Sequence, residues 1–157
     1  MTYVEAVTEY TPGGTPAVFL AGGISDCDDW QATMVKLLAA LDVVVLNPRR
    51  KEFPTNDPAA AGEQVRWEHR HLRRADARLF WFPSSTLCPI TLYELGAWSM
   101  APGPLFVGVD PGYARRHDVE IQTKLARPDV RVAHSLHDLA GQVSEFVTRR
   151  SLQEVTS

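Results

Sequence analysis

Five short apolar runs alternate with longer amphipathic stretches, and this alternation restricts the fold more than any other feature of the chain. The runs cover residues 17–21, 43–46, 79–82, 105–109 and 130–133. They are apolar without strict alternation, which is typical of strands buried on both faces of a parallel sheet. Apolar residues at helical spacing, together with helix-start signals, predict helices over residues 28–41, 58–75, 89–100, 117–126 and 136–149.

A strand-helix alternation of this kind predicts a doubly wound α/β domain with right-handed crossovers. We expect a flavodoxin-like parallel sheet of five strands, in the order 2-1-3-4-5, with helices on both faces. The length of 157 residues fits one domain. Residues 1–16 are polar, carry proline and glycine near their end, and read as a flexible N-terminal leader. The domain is then expected over residues 17–150, and residues 151–157 as a C-terminal tail.

Charge and composition exclude several classes of partner. The net charge of −3 disfavours broad electrostatic capture of a nucleic-acid polymer or an anionic membrane. No run approaches the roughly 18 apolar residues of a membrane span, and the N-terminal residues do not resemble a secretory signal. The two cysteines, Cys27 and Cys88, form no C-x-x-C pair, which favours free thiols in a reducing cytoplasm. We therefore expect a cytoplasmic protein.

The loops after the first three runs are the expected binding site, because ligands of doubly wound sheets bind beyond the carboxyl ends of the strands. Gly22 and Gly23 would let a ligand approach the backbone, although a plain tight turn is equally compatible with them. Ser84 and Ser85 precede a predicted helix start and could hold a hydroxyl or a phosphate there. A simple loop is the alternative for these two serines.

Two glutamates occupy positions where helical spacing places apolar residues. Glu68 lies between Val65 and Leu72 on the apolar face of its predicted helix. Glu94 lies four residues after Ile90 on the apolar face of the next predicted helix. Burying a carboxylate is costly unless it has a partner or a task. Burial also raises the pKa of a carboxyl group, as a general acid requires. Because one helix ends before the third run and the other begins after it, the two glutamates are expected to converge above one strand end.

Structural roles remain possible for both glutamates at this point. Residues 91–94 match a capping box, in which Glu94 would only satisfy backbone donors at a helix start. Glu68 could be an ion-pair partner of His71, Arg73 or Arg74. The sequence pattern alone does not separate these roles from a catalytic one.

Several common catalytic signatures are absent from the sequence. It contains no G-x-S-x-G, no G-x-G-x-x-G and no P-loop, which removes the usual hydrolase, dinucleotide-binding and NTPase hypotheses. His69 and His71 project from different helix faces, so a shared metal is not expected. We predict neither a metal nor an organic cofactor.

Taken together, several ordered segments resemble the nucleoside 2-deoxyribosyltransferase family, in particular its phage and actinobacterial branch. The segments follow the family order from about residue 17 to about residue 125. The matching stretches are VFLAGGI at 18–24, DWQ at 29–31, NPRR at 47–50, QVRWE at 64–68, AD at 75–76, CPITLYELG at 88–96 and RRHDVEIQ at 115–122.

The resemblance implies a role for each of the two glutamates. The glutamate of the Glu-Leu-Gly triplet attacks the anomeric carbon in the family, and that position is Glu94. The second acid of the family, usually an aspartate, corresponds to Glu68, eight residues before Asp76. Cys88 stands where many members carry an aspartate or a serine. The residues expected to bind the substrate are Gly22, Gly23, Asn47, Arg49, Trp67, Ser84, Ser85, Cys88 and Thr91.

The implied reaction is cleavage or transfer of an N-glycosidic bond by a retaining double displacement. In it, Glu68 protonates the leaving base while Glu94 forms a covalent glycosyl-enzyme. The substrate is expected to be a small nucleoside or nucleotide. The resemblance also implies a homo-oligomer, with residues 113–122 as the candidate contact.

Three alternatives stay open. The first is hydrolysis of nucleoside 5′-monophosphates, with Arg49, Arg50, Ser84 and Ser85 holding the phosphate. The second is cleavage of a nicotinamide dinucleotide by a TIR-like enzyme of the same fold type. The third is a non-catalytic nucleotide sensor that kept the pocket.

Overall fold

The computed structural model describes residues 1–155, and in that part of the chain five strands and five helices form one α/β domain. The elements are β1 (Thr2–Glu5), β2 (Ala17–Gly22), α1 (Trp30–Leu37), β3 (Val44–Asn47), α2 (Ala60–Arg74), β4 (Ala77–Phe82), α3 (Pro89–Ser99), β5 (Leu105–Val109), α4 (Arg116–Ala126) and α5 (Leu136–Val155).

The five strands form one parallel sheet in the order β1-β3-β2-β4-β5. This confirms the predicted doubly wound α/β class, and the four predicted strands from residue 17 to residue 109 lie in the predicted order. The fifth strand differs from the prediction. It is β1, at the edge beside β3, whereas residues 130–133 contribute only an isolated parallel bridge between Ala133 and Gly108. Arg131 in that segment is exposed and pairs with Asp138, while Ala133 is buried and Val130 and Val132 pack against the core.

The N-terminal segment is part of the domain and not the predicted flexible leader. Residues 2–5 pair with residues 44–47 of β3. Ala6 and Tyr10 are buried, and the backbone amide of Tyr10 donates to Nε2 of His71 at 3.1 Å. The segment folds against the sheet because its short strand satisfies the open backbone edge of β3, while residues 6–10 cover α2.

Two apolar cores lie on the two faces of the sheet. Successive strand residues point to opposite faces, so Phe19 belongs to one core while Val18 and Leu20 belong to the other. The core around Phe19 also includes Trp67 of α2 and Leu95 of α3. Helices α1 and α5 cover the other face. The two glutamates therefore reside on helices that pack on the same face.

Helix α5 continues through most of the predicted C-terminal tail and ends at Val155. Residues 156–157 of that tail lie outside the described residues. In the described part of the chain, no helix combines the length and apolar character required to span a membrane.

Candidate active site

A cavity of about 360 Å³ opens at the carboxyl ends of β2, β3 and β4. Its walls come from the residues that follow β2, from Pro48 after β3, and from the loop and helix start after β4. The chain leaves β2 to form β3 on one side and later β4 on the other. The cavity therefore lies where the strand order reverses, which is the usual ligand site of this architecture. Its volume lies within the range of roughly 300–1,000 Å³ typical of small-molecule sites.

Glu68 lines this cavity from α2. Its Oε1 accepts a hydrogen bond of 2.7 Å from the side-chain amide of Gln64, one helical turn earlier. The cationic partners considered from the sequence are engaged elsewhere: Arg74 pairs with Glu9, and His71 stacks on Trp67. Burial raises the pKa of Glu68, and the Gln64 hydrogen bond acts in the opposite direction. Glu68 is thus a desolvated carboxyl group and not the member of a surface ion pair.

Glu94 lines the same cavity from α3. The helix begins at Pro89 with Cys88 as its N-cap residue, three positions before Thr91, so the capping box considered from the sequence does not form. No hydrogen bond or ion pair joins the Glu94 side chain to another residue in the range 1–155. Its carboxyl group is therefore free to meet a ligand.

The two carboxyl groups interact electrostatically. Burial, followed by the charge of Glu68, raises the pKa of Glu94 to about 7. Two carboxylates that share a desolvated site favour a state with one proton between them, because both charged forms together repel each other. Such a pair can supply one acid and one base near neutral pH, which is the arrangement used in acid-assisted displacement at a sugar.

Gly22 and Gly23 let the chain pass close to other parts of the site. A Cβ atom on Gly22 would lie 2.5 Å from the carbonyl oxygen of Trp81. A Cβ atom on Gly23 would lie 2.9 Å from Sγ of Cys88 and 3.0 Å from Cγ2 of Thr86. Both glycines line the cavity, so its floor is bare backbone held against the loop after β4.

Cys88 and Thr91 form the wall next to Glu94. Cys88 adopts a left-handed backbone with φ of 49°, which lets the chain turn into α3. Burial is the main reason that the pKa of its thiol rises to about 11, so the group stays protonated at neutral pH. A neutral thiol donates weakly and carries no charge, and it offers the substrate far less polar recognition than an aspartate would.

The arrangement of these residues agrees with a comparison of the sequence with known families. A sequence model described as "Nucleoside 2-deoxyribosyltransferase like" matches residues 15–113, which is well over half of the chain. The chain belongs to the nucleoside 2-deoxyribosyltransferase-like family. The matched region contains both glutamates and every predicted substrate-binding residue. A search of curated proteins finds no match.

Within this member of the family, four predicted contacts lie away from the cavity. Asn47 donates to the hydroxyl of Tyr3 and accepts from the backbone amide of Arg49. Arg49 donates to the backbone carbonyl oxygens of Ile24, Cys27 and Asp28. Ser84 and Ser85 are exposed on the turn after β4, outside the cavity wall. Arg49 therefore holds the loop of residues 24–28 that borders the site, and neither Asn47 nor Arg49 lines the cavity.

Trp67 was expected beside the base, and the structure places it in the core instead. Its side chain has no solvent-exposed surface, and its indole nitrogen donates to the carbonyl oxygen of Thr8 at 2.7 Å. The ring stacks on His71 with centroids 4.1 Å apart. Trp67 precedes Glu68 in sequence, but adjacent residues on a helix point about 100° apart, which separates their environments.

Several cavity residues were not singled out from the sequence. These are Phe19, Ala21, Ile24, Ser25, Pro48, Phe53, Ala61, Gln64, Val65, Thr86, Pro89 and Ile90. Gln64 had a usable signal, since residues four apart on a helix are neighbours and Glu68 was already a candidate. Phe53 had none, because it lies in an irregular segment before α2. In the part of the chain that the structure describes, no cluster of three His, Cys, Asp or Glu side chains suits a metal ion.

Proposed function

We propose that this chain cleaves the N-glycosidic bond of a nucleoside and transfers the sugar to a second base, through a covalent intermediate on Glu94. The observation that carries the proposal is the convergence of Glu68 and Glu94 in one cavity, where the charge of Glu68 contributes to the raised pKa of Glu94. Membership of the family supports the substrate class and the reaction type.

In the first half of the reaction, an oxygen of Glu94 attacks the anomeric carbon and forms a C–O bond. The C–N bond to the base breaks, its electron pair moves to the base nitrogen, and Glu68 donates a proton to the base. In the second half, the incoming base attacks the same carbon, Glu68 takes up its proton, and Glu94 leaves as a carboxylate. Two inversions retain the configuration of the sugar.

The charge states required for this sequence are compatible with the environment of the pair. Glu94 must be ionised to attack while Glu68 carries the proton. The pKa of about 7 applies to Glu94 beside an ionised Glu68, so protonation of Glu68 lowers that pKa and favours the ionised nucleophile. The positive charge that develops on the sugar ring in the transition state favours the ionised form further. A proton on Glu68 at that moment removes the repulsion between the two groups.

A free nucleoside suits the cavity better than a nucleoside 5′-monophosphate. No lysine or arginine is among the described residues that line it, and its walls are largely apolar. Arg49, which was considered as a phosphate ligand, uses its guanidinium for backbone carbonyl oxygens. A phosphate in this cavity would lack the charged, bidentate donors that proteins normally give it.

The expected homo-oligomer is also a proposal. Ile90, Tyr93 and Met100 of the α3 region and Ile121 and Leu125 of α4 are all more than half exposed. A row of exposed apolar side chains on neighbouring helices is typical of a subunit contact. Tyr113, at the start of the expected contact segment, is buried and donates to the carbonyl oxygen of Leu87, so it anchors the loop before α3. Light scattering on the purified chain would measure the assembly.

The function is tested by following free base and new nucleoside by chromatography. Wild type, Glu94→Gln and Glu68→Gln are incubated with each 2′-deoxynucleoside and each nucleoside monophosphate, with and without adenine as acceptor. Glu145→Gln, at an exposed position of α5, is the matched control for losing one carboxylate. We expect base exchange in wild type and control, and none in Glu94→Gln.

Other outcomes would assign the cavity to one of the competing functions. Base release without exchange would indicate a hydrolase. A preference for monophosphates would contradict the inference, drawn from the absence of lysine and arginine in the cavity wall, that the substrate is a free nucleoside. Equal ligand binding by wild type and Glu94→Gln, with turnover in neither, would favour a sensor.

A further inference from the structure

The side-chain amide of Gln64 is fixed between two acceptors. Its Nε2 donates to Oε1 of Glu68 at 2.7 Å and to the carbonyl oxygen of Pro48 at 2.6 Å. Both amide hydrogens are thereby used. The opposite orientation of the amide would place its oxygen against the carbonyl oxygen of Pro48, which can only accept. The direction of the Gln64 amide is therefore determined by the backbone after β3.

The side-chain oxygen of Gln64 is not stabilised by this arrangement. Its Oε1 is buried and has no hydrogen-bond partner among residues 1–155. A buried acceptor without a partner destabilises the folded state, because its lost hydration is not replaced. An apolar side chain would fill this space without an unpaired acceptor. The functional atoms of Gln64 are therefore its amide hydrogens, which are donated to Pro48 and Glu68.

The hydrogen bond from Gln64 makes the two oxygens of Glu68 unequal. Oε1 already accepts a hydrogen bond, and a carbonyl-type oxygen accepts more strongly than the hydroxyl oxygen of a carboxylic acid. When Glu68 is protonated, the favourable form therefore has its carbonyl oxygen at Oε1 and its hydroxyl at Oε2. The proton is then carried by the oxygen that Gln64 does not occupy.

We propose that Gln64 is a positioning residue that places the acidic proton of Glu68 on Oε2, where it is delivered to the leaving base. The inference rests on the proposed function, since it needs Glu68 to act as the acid. In the step concerned, the Oε2–H bond breaks as the N–H bond of the base forms, and the C–N electron pair passes to the base. Gln64 itself neither gives nor takes a proton.

A leaving group that needs no proton separates this role from a merely structural one. The N7-methylated forms of 2′-deoxyguanosine and 2′-deoxyinosine carry a cationic base, which leaves as a neutral molecule without protonation. Turnover of each methylated nucleoside is compared with that of its unmethylated parent. The variant is Gln64→Met, which keeps the length of the side chain and removes the donor. Arg66→Met, at an exposed position of the same helix, is the control for a methionine in α2.

We expect Gln64→Met to lower kcat on the unmethylated nucleosides by about 10- to 100-fold, as displaced catalytic groups typically do. KM should change little, and kcat on the methylated nucleosides should stay near that of Arg66→Met. A second variant, Gln64→Asn, withdraws the amide by one methylene and should show the same dependence on the leaving group.

Equal losses on methylated and unmethylated substrates would overturn the inference, because misfolding or a distorted cavity does not distinguish leaving groups. Loss of cooperative unfolding in both Gln64 variants would also overturn it and would assign the residue to the fold. Absence of turnover by wild type on every substrate would instead contradict the proposed function itself. Wild-type activity with no effect of Gln64 would contradict only the inference.

Discussion

Burial and the charge of Glu68 together raise the pKa of Glu94 to about 7. The two residues come from different helices, α2 and α3, and meet at one cavity above the switch in strand order. Neither position is explained by a surface ion pair or a helix cap. The protonation of Glu94 therefore depends on the presence of Glu68, and this dependence can be measured without any substrate.

Removing the charge of Glu68 should lower the pKa of Glu94. In Glu68→Gln the repulsive neighbour is gone while burial remains, so Glu94 should titrate below 7 but above its ordinary value. Carboxyl carbon chemical shifts of glutamate-labelled protein, followed against pH, measure both values. Glu145→Gln should leave the titration of Glu94 unchanged. An unaltered Glu94 midpoint in Glu68→Gln would show that the two groups do not interact.

The raised pKa of Glu94 also makes stability depend on pH. Between the reference value of 4.5 and about 7 the folded protein binds a proton at Glu94 that the unfolded chain has released. The stability contributed by this proton is fully present below the reference value, and it is lost as pH rises through the folded pKa. Glu94→Gln cannot ionise, so relative to wild type it should gain roughly 3 kcal/mol between pH 4.5 and pH 8. Urea unfolding at the two pH values measures the gain, and a constant difference would contradict it.

Alanine substitutions at two glycines should have opposite effects. Gly22→Ala should destabilise the domain by about 1–3 kcal/mol, because the new Cβ meets the Trp30 ring and the Trp81 carbonyl oxygen. Gly96→Ala, in the middle of α3 with nothing within 4 Å of the new atom, should stabilise it by about 0.5–1 kcal/mol. Thermal unfolding compares the two variants directly. A well-tolerated Gly22→Ala would mean that β2 can move away from its neighbours.

Arg49→Lys should loosen the loop beside the cavity. Arginine donates simultaneously to three backbone carbonyl oxygens of residues 24–28 and to Gln31, whereas a lysine cannot span these acceptors. We expect a lower Tm and a higher KM with a smaller change in kcat, since Ile24 and Ser25 border the cavity. If kcat alone collapsed, Arg49 would have to act on the substrate directly.

Trp67→Phe should affect stability and spare substrate preference. The substitution removes the hydrogen bond to Thr8 and should cost about 1–3 kcal/mol. The folded fraction should keep the wild-type order of base preference, because the ring does not reach the cavity. A changed preference among the four bases would instead support the contact between Trp67 and the base that the sequence suggested.

The sequence predicted those features that depend on local pattern. Helix α3 begins at Pro89 as expected, because a proline at the first helical position has no amide to satisfy. The four strands from β2 to β5 were recognisable as continuous apolar runs. The two glutamates were identified because a carboxylate on an apolar stripe requires an explanation, and both prove to line one cavity.

Features that depend on distant partners were not predictable in the same way. Strand β1 is polar and pairs with residues more than 40 positions away, so no local pattern marks it. Asn47 binds Tyr3 of this unexpected strand, and Trp67 is covered by residues 8–10, so both errors follow from the missing strand and its continuation. Arg49 follows a strand end as a ligand-binding residue would, and only the fold shows that it turns toward backbone carbonyl oxygens.

The packing of residues 8–10 on α2 has a consequence for local unfolding. Thr8 accepts from Trp67, Tyr10 donates to His71, and Glu9 pairs with Arg70 and Arg74, so the helix that carries Glu68 is held from behind by the N-terminal segment. Detaching this short segment exposes Ala6, Tyr10 and Trp67 but leaves the rest of the two core clusters of the sheet and its central strands in place. Such an opening requires less free energy than global unfolding. Helix α2 and Glu68 would thus lose the contacts with residues 8–10 at denaturant concentrations that leave the sheet intact. Loss of activity would then precede loss of the circular dichroism signal.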